Sequence, residues 1–444
     1  TPGALTLAEY AANNRQARPA AGAFPSAVKN KAAIYQKTLW AGLSHHYAFN
    51  KHFENQTSVY LNFSTVKNPA VRNYEERNEP GLGARTVFSW KGAIDRTTIN
   101  VTGGGEFQQG YPHIRVANNK LGNPDSLQTA DEVKISQAGV FLQAELNFTG
   151  GWIITAGASL NTTRVFIDRV SVSPVFRFES NFHNEVAPRV SLLKKLTANL
   201  SVYALASKGF SPPTVAELLP STTVINTSLQ AEQGVNVETG IKGSFIRSRV
   251  TVDINTYSFR LQNTIAQRRD ASGGDYFVNT GNSRQKGVEA AVNMRIIQND
   301  TRVIRSLTVW TDYTYQHFRY GSFKQLVNDF SGKQIPGTTP NALAAGLAVV
   351  SSMGIYANIN FYYSDHIYLN DANSAVASPY QIAGFRGGYR TTLGKRFSAE
   401  IYVSGDNVFD ERYSLGNDIN AAANRYYNVA TGRNFQGGVI FRAN

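Results

Sequence analysis

Between residues 137 and 149 the chain alternates strictly. Val140, Leu142, Ala144, Leu146 and Phe148 interleave with Phe141, Gln143, Glu145 and Asn147. A period of two places all the apolar side chains on one face of a β-strand and the polar ones on the other. The rhythm recurs along the chain as pairs of strands. They are expected at 35–48 with 53–65, 82–91 with 96–107, 137–149 with 152–165, and 186–195 with 198–208. The series continues with 236–246 and 249–262, 284–296 and 304–319, 342–351 and 355–364, 381–391 and 396–404, and a last strand near 434–442. Members of a pair meet at a tight polar turn, such as Asn50-Lys51, Gly92 to Asp95, or Thr149-Gly150-Gly151. Successive pairs are separated by longer loops.

Short turns on one side and long loops on the other are the layout of a bacterial outer-membrane barrel. A soluble sandwich mixes its loop lengths less systematically. The 444 residues contain no run of eighteen apolar residues, so no membrane-spanning helix is expected. Barrel strands alternate lipid-facing and lumen-facing side chains, so that absence leaves a membrane barrel open. The fold class expected is therefore all-β, a transmembrane antiparallel barrel of about seventeen strands. An odd count brings the chain in from the long-loop side and out on the short-turn side. A closed antiparallel barrel begins and ends on one side, and plugged outer-membrane transporters have about 22 strands. About five strands are thus expected before residue 1, with this sequence forming the C-terminal part of a barrel.

Composition narrows the function classes. The 22 Tyr and 25 Phe suit interfacial aromatic girdles, although a β-rich soluble protein also uses many aromatics. With no cysteine, disulfides, thiolate metal sites and cysteine nucleophiles are excluded. The net charge is +13, but Lys and Arg are scattered without a run of five or six, so no nucleic-acid partner is indicated. A basic balance suits anionic ligands or lipopolysaccharide phosphates. No HExxH motif is present, and Gly103-Gly104-Gly105 is not followed by Gly-Lys-Ser/Thr. No nucleophile-elbow motif supports catalysis, no metal-ligand spacing appears among the carboxylates, and the reading is a non-enzyme.

Several segments resemble the TonB-dependent outer-membrane receptors. KGFSPPTVAEL at 208–218 followed by LQAEQGVNVETGIKG at 229–243 is similar to that family's mid-barrel pattern. NTGNSRQKGVEAAVNMR (279–295), GKQIPGTTPNALAAGLAV (332–349), GDNVFDERYS (405–414) and TGRNFQGGVIF (431–441) resemble its later strand-entry and closing segments. The resemblance implies a siderophore-receptor barrel whose plug domain is not in this sequence. It also implies residues 1–33 as an extracellular loop and residues 34–444 as strands, short periplasmic turns and long extracellular loops. The implied function is outer-membrane import of a scarce ligand, a ferric siderophore, in a Gram-negative bacterium, energised by the TonB complex through the plug. Iron enters only as part of the transported chelate, with no resident cofactor or metal. A receptor for haem, cobalamin or another nutrient, a porin, a barrel enzyme and a soluble all-β binding protein remain open. One departure stands out: such chains usually end on an aromatic residue, whereas Phe441 is followed by Arg442, Ala443 and Asn444.

Ligand contacts are expected from the loops. Loop 66–80 carries Arg72, Tyr74 and Arg77, and loop 108–135 carries Tyr111, His113 and Arg115. Loop 264–283 carries Arg268, Arg269 and Tyr276, with His317, Arg319 and Tyr320 near the next strand end. Arginine offers paired donors to carboxylates or phosphates, and tyrosine a flat face with a polar tip. The set suits an anionic, partly aromatic iron chelate. The same side chains could instead contact lipopolysaccharide or neighbouring loops.

Overall fold

The computed structural model describes residues 3–22, 24–220, 224–269, 274–299, 302–325, 327–394 and 396–443. One large antiparallel sheet of 18 strands dominates it. Two of these, Thr97–Gly110 and His113–Lys120, are halves of a single course through the wall. Both pair with the strand before (Asn73–Ile94) and with the strand after (Asn123–Phe148). The interruption falls at Tyr111-Pro112, where proline has no N–H to give the ladder. The wall is therefore a meander of seventeen courses, the number expected.

The first seven courses are Tyr35–Ala48, Phe53–Pro69, Asn73–Ile94, the split 97–120, Asn123–Phe148, Trp152–Arg169 and Phe176–Thr197. The next five are Leu200–Ser211, Glu232–Phe245, Val250–Gln262, Asn282–Gln298 and Ile304–Tyr320. The last five are Asn341–Ser351, Ile355–Ser364, Tyr380–Leu393, Phe397–Asp406 and Asn434–Ala443. Each pairs with its neighbours in sequence. Among the described residues no ladder joins Tyr35–Ala48 to Asn434–Ala443, so these two form the sheet's edges.

Alternation decides the two faces. Val140 and Leu142 are 58% and 62% exposed and lie on the lipid side. Directly across the ladder, Glu106, opposite Gly139, faces inward and accepts a hydrogen bond from Tyr60 at 2.8 Å. The outward faces of neighbouring strands continue the apolar band, with Leu39 opposite Phe63, Leu43 opposite Val59, and Val403 and Ile401 on a later strand. Gly104 holds the wall tight, because a Cβ there would collide with the Thr86 carbonyl.

The segments expected as loops at 66–80 and 108–135 are strand instead. Crossing the hydrocarbon takes about 9–11 residues. Asn123–Phe148 has 26 and Asn73–Ile94 has 22, so both project well beyond it. Outside lipid the strand no longer needs apolar alternation, and polar cross-strand pairs such as Lys67–Glu76 (3.6 Å) take over. The pattern by which a strand is recognised therefore vanishes while the ladder continues. These hairpins close in tight tips. At Leu121-Gly122 both residues have positive φ (55° and 87°), as a two-residue hairpin turn of that hand requires. The turn expected at Gly92 to Asp95 likewise moves to Asp95-Arg96, with Gly92 kept in the ladder opposite Ile99.

Longer connections occur later in the chain and fold inward. Leu218 and Leu229 of the 212–231 segment join Ile114, Val133, Val165 and Ile167 of the wall in a buried cluster, with Ile265 and Phe277 packed against it. A short helix, Val215–Leu218, is capped by Thr214 and Glu217. The N-terminal segment carries another, Leu7–Ala12, with Thr6 and Glu9 forming a capping box.

The face assignment predicts unequal tolerance at adjacent positions. Ala144→Arg, on the lipid side, should cost roughly 2–4 kcal/mol if it lies near the midplane, whereas Gln143→Arg should be mild. Urea titration of the protein refolded into lipid vesicles measures both. Equal costs would contradict the register.

Candidate functional site

Three connections meet over the lumen at the long-loop end: the hairpin at 265–279, and the segments 365–379 and 407–433. Asp371 is the point where they join. Its Oδ1 accepts from the Tyr320 hydroxyl at 2.7 Å and from Asn420 Nδ2 at 3.3 Å. Arg268 Nη2 lies 2.8 Å from Oδ2 but off the line of a hydrogen bond, so that side of the pair is Coulombic. Both side chains are only 5% exposed. Arg268 is further placed by donating Nη1 to the Gln267 carbonyl (2.8 Å) and by lying 5.4 Å over the Phe323 ring. Burial, followed by the adjacent Asp371 charge, raises the Tyr320 hydroxyl well above its ordinary pKa, so it stays a donor.

The N-terminal segment joins the same assembly. Arg425 grips Glu9 with two donors, at 2.6 and 2.8 Å. Leu5 and Tyr427 exchange backbone hydrogen bonds at 2.8 and 3.1 Å, and Tyr10 stacks on Tyr427 with centroids 5.4 Å apart. Leu369, Ala377, Ala421, Tyr426 and Tyr427 form the apolar core beneath. Burial works against ionising Glu9, but Arg425 and the Thr6 hydrogen bonds outweigh it and hold the carboxyl below its ordinary value.

The candidate residues fall into different environments. Arg268 sits in the Asp371 knot, and Tyr276 is its cross-strand partner in the hairpin. Arg269 stands opposite Asp275 in the ladder, and its side chain lies outside the described residues. Arg77 faces inward, 3.4 Å from Glu79 and 3.7 Å from Glu75, so its charge is already matched. Tyr74 is buried opposite Pro69. Arg72 lies in the tight tip after Pro69, with its carbonyl accepting from Asn119 N at 2.9 Å. Tyr111 is exposed at the strand interruption. His113 and Arg115 flank the inward Ile114 and so point away from the lumen. His317 and Arg319 flank the inward Phe318 and point outward too, in hydrogen-bond contact at 3.1 Å. Among the described side chains of the set, Arg77, Arg268 and Tyr276 lie toward the lumen mouth, together with Tyr320.

Two groups carried no sequence signal. Asp371 sits in a loop of ordinary polarity, and nothing local points to Arg268, more than a hundred residues away. The other group lies on the lumen wall toward the short-turn end. Glu400, 1% exposed, accepts from the Tyr356 hydroxyl at 2.6 Å, Arg386 at 2.8 Å, and Arg390 and Arg442 at 3.2 Å each. Arg386 stacks on Tyr402 and Arg390 on Tyr356, at 3.6 and 4.0 Å. The inward position of Arg442, opposite Ser398, also accounts for a charge next to the apolar Phe441: the two residues face opposite sides of the last strand. Among the described residues no cluster of three or more His, Asp or Glu is placed to hold a metal ion.

Breaking either mouth contact should loosen the connections without unfolding the wall. Asp371→Ala leaves a buried guanidinium without its carboxylate, a change worth roughly 3–5 kcal/mol. Limited proteolysis at 365–379 should accelerate by roughly a hundredfold to a few thousandfold, while the heat-shifted gel mobility of the barrel stays the same. The Glu9–Arg425 clasp should depend on pH. Because the Glu9 pKa is depressed, its contribution is complete above the ordinary value of 4.5 and is lost as pH falls through the lower folded value. Protease release of the N-terminal segment should rise over that acidic window in the wild type. Glu9→Gln should be equally sensitive at neutral and acidic pH.

Comparisons with known proteins agree with this geometry. The family model described as TonB dependent receptor-like, beta-barrel, matches residues 3–408. An uncharacterised TonB-dependent receptor from Haemophilus influenzae is 23% identical over 302 residues, covering 64% of this chain and 80% of that protein. The unliganded ferric citrate transporter FecA superposes with a TM-score of 0.79 at 15% identity, covering all of this chain and 65% of that one. The siderophore receptor PiuA from Acinetobacter baumannii gives 0.74 at 16% identity, covering 93% of this chain and 65% of that one. The ferric yersiniabactin uptake receptor FyuA from Yersinia pestis gives 0.70 at 15% identity, covering 95% and 63%. At these identities the structural likeness establishes the fold, and the chain spans less than two thirds of each of these three solved chains.

Proposed function

We propose an import role from one premise: the chain belongs to the TonB-dependent receptor β-barrel family. It forms the wall and mouth of an outer-membrane receptor that captures a scarce ligand and passes it through the lumen with energy supplied by TonB. The ligand class is a ferric siderophore. The observation that carries this reading is the inward-folded mouth. The connections at 265–279, 365–379 and 407–433 converge over the lumen and are fastened to one another through Asp371, Arg268, Tyr320 and Asn420. Connections fastened together over the lumen by a few polar contacts suit capture followed by release inward better than free diffusion does.

In this reading the long-loop end faces the cell exterior, and residues 1–33 lie there as an extracellular segment. The short turns face the periplasm. A plug inside the lumen would complete the ligand site and contact TonB. Arg77, Arg268, Tyr276 and Tyr320 are the described members of the candidate set on the ligand's path. The transport descriptions of FecA, PiuA and FyuA support iron chelates as the ligand class.

Growth on defined iron sources tests the proposal. A host lacking its own ferric-chelate receptors should regain growth on at least one ferric siderophore when the protein is expressed, and only when TonB is present. Rescue on no chelate, or equal uptake in a strain without TonB, would rule the reading out.

A further inference from the structure

The outward face carries an unmatched block of positive charge at the long-loop ends of three adjacent strands. In the ladder Arg260 stands directly opposite Arg284, and Arg284 directly opposite Arg319. Two residues nearer the membrane centre, Ser258 is opposite Lys286 and Lys286 is opposite His317. All three arginines, Lys286 and His317 are exposed. Alternation fixes their direction. On the middle strand the outward series runs Arg284, Lys286, Val288, Ala290, Val292, Met294, and on the next it runs Arg319, His317, Tyr315, Tyr313. On these two strands the cations therefore stand immediately above the apolar and aromatic band, and Arg260 stands level with them above Ser258 and Thr256, on the side away from the lumen.

Such a row is costly by itself. Neighbouring strands lie about 4.8 Å apart, and like charges directly opposite are destabilising. Elsewhere on the outer surface at this end some cations are matched with acids: Lys67 with Glu76 at 3.6 Å and Arg177 with Asp168 at 3.8 Å. Among the described residues none of Arg260, Arg284, Lys286 or Arg319 has a carboxylate partner. Among the described residues the Arg319 side chain donates to His317 Nε2 and to the Gly332 carbonyl, at 3.1 and 2.8 Å.

The height of the block identifies its counter-charge. At about 3.3 Å per residue and a strand tilt of about 40°, Lys286 lies roughly 5 Å and Arg284 roughly 10 Å above Val288. The polar headgroup layer adds about 5–8 Å to each side of the hydrocarbon core. Lys286 thus stands within the headgroup layer and the arginine row at its outer margin, where long side chains reach back to headgroup phosphates, and this face is inaccessible to a ligand travelling through the lumen. Guanidinium groups in a row offer paired donors to tetrahedral phosphate.

We propose that Arg260, Arg284, Arg319 and Lys286 form a docking surface for phosphorylated lipid headgroups of the surrounding outer leaflet. The bound lipid neutralises the arginine row and fixes the height of this sector of the wall in the membrane. The inference rests on the outer-membrane placement proposed above.

Binding of lipid A to the protein in phosphatidylcholine nanodiscs tests it, with bisphosphorylated lipid A, its dephosphorylated form and inorganic phosphate as probes. The wild type should bind bisphosphorylated lipid A at least tenfold more tightly than the dephosphorylated form. Combined Arg260→Gln, Arg284→Gln and Arg319→Gln should remove that preference. Arg247→Gln with Arg249→Gln, at the opposite end of the barrel, should keep it. If the triple variant is not recovered folded, Arg284→Gln and Lys286→Gln singly should each lower the preference in part. Unchanged binding by the variants overturns the proposal, as does displacement of lipid A by millimolar inorganic phosphate, which would mark a free-anion site. Cell fractionation separates the premises. Wild type absent from the outer membrane sinks the placement, whereas wild type present there without the preference sinks this inference alone.

Discussion

Every backbone N–H and C=O that crosses hydrocarbon must find a partner inside the protein, because lipid offers none. That requirement is what the rest of this structure depends on. It produces seventeen antiparallel courses, each bonded to its neighbours in sequence. It explains why Pro112 sits where the course from Thr97 to Lys120 breaks, near its polar end. It also leaves two edges among the described residues, Tyr35–Ala48 and Asn434–Ala443, each with one side of its ladder unpaired. An open sheet edge is not stable in lipid, so these edges need partners in the membrane.

With the backbone satisfied, side chains divide by parity. Outward positions supply the lipid band, and inward positions can carry charge. The inward charges are heavily cross-linked: Tyr60 with Glu106, Arg169 with Asp131, and three arginines with Glu400. The Glu400 cluster carries two more positive charges than negative, so the wall there is positive toward whatever occupies the lumen. At the long-loop end the same logic is applied to connections rather than strands. Single ion pairs, the buried Arg268–Asp371 and the partly buried Arg425–Glu9, tie together segments far apart in sequence. Each is a point where one substitution can release a loop without touching the ladder.

The sequence reading and the structure diverge where the solvent changes. Val140 to Phe148 is legible because lipid demands strict alternation. The polar stretch around Asn73–Asn78 continues the same strand in water, where nothing demands that pattern, and it reads as a loop. The candidate arginines show a related limit. Arg77, Arg115 and Arg319 look equivalent in a list of loop residues. Their register sends Arg77 inward and the other two outward, because a strand's parity can be read only once its membrane-spanning part anchors it.

By itself, the sequence determined the all-β class, the number of wall courses, the side of the barrel holding the long connections, and the family to which the chain belongs. The first three follow from short-range rules, period-two alternation and turn chemistry, whereas the family follows from the resemblance of local segments to its known patterns and from the family model matched over residues 3–408. The tertiary structure decided which charges meet. Asp371 with Arg268, Glu9 with Arg425, Glu400 with Arg442, and the row Arg260–Arg284–Arg319 each join residues from separate strands or loops. Such contacts are set by ladder register and inward folding of the connections, and neither leaves a trace in the residues immediately around them.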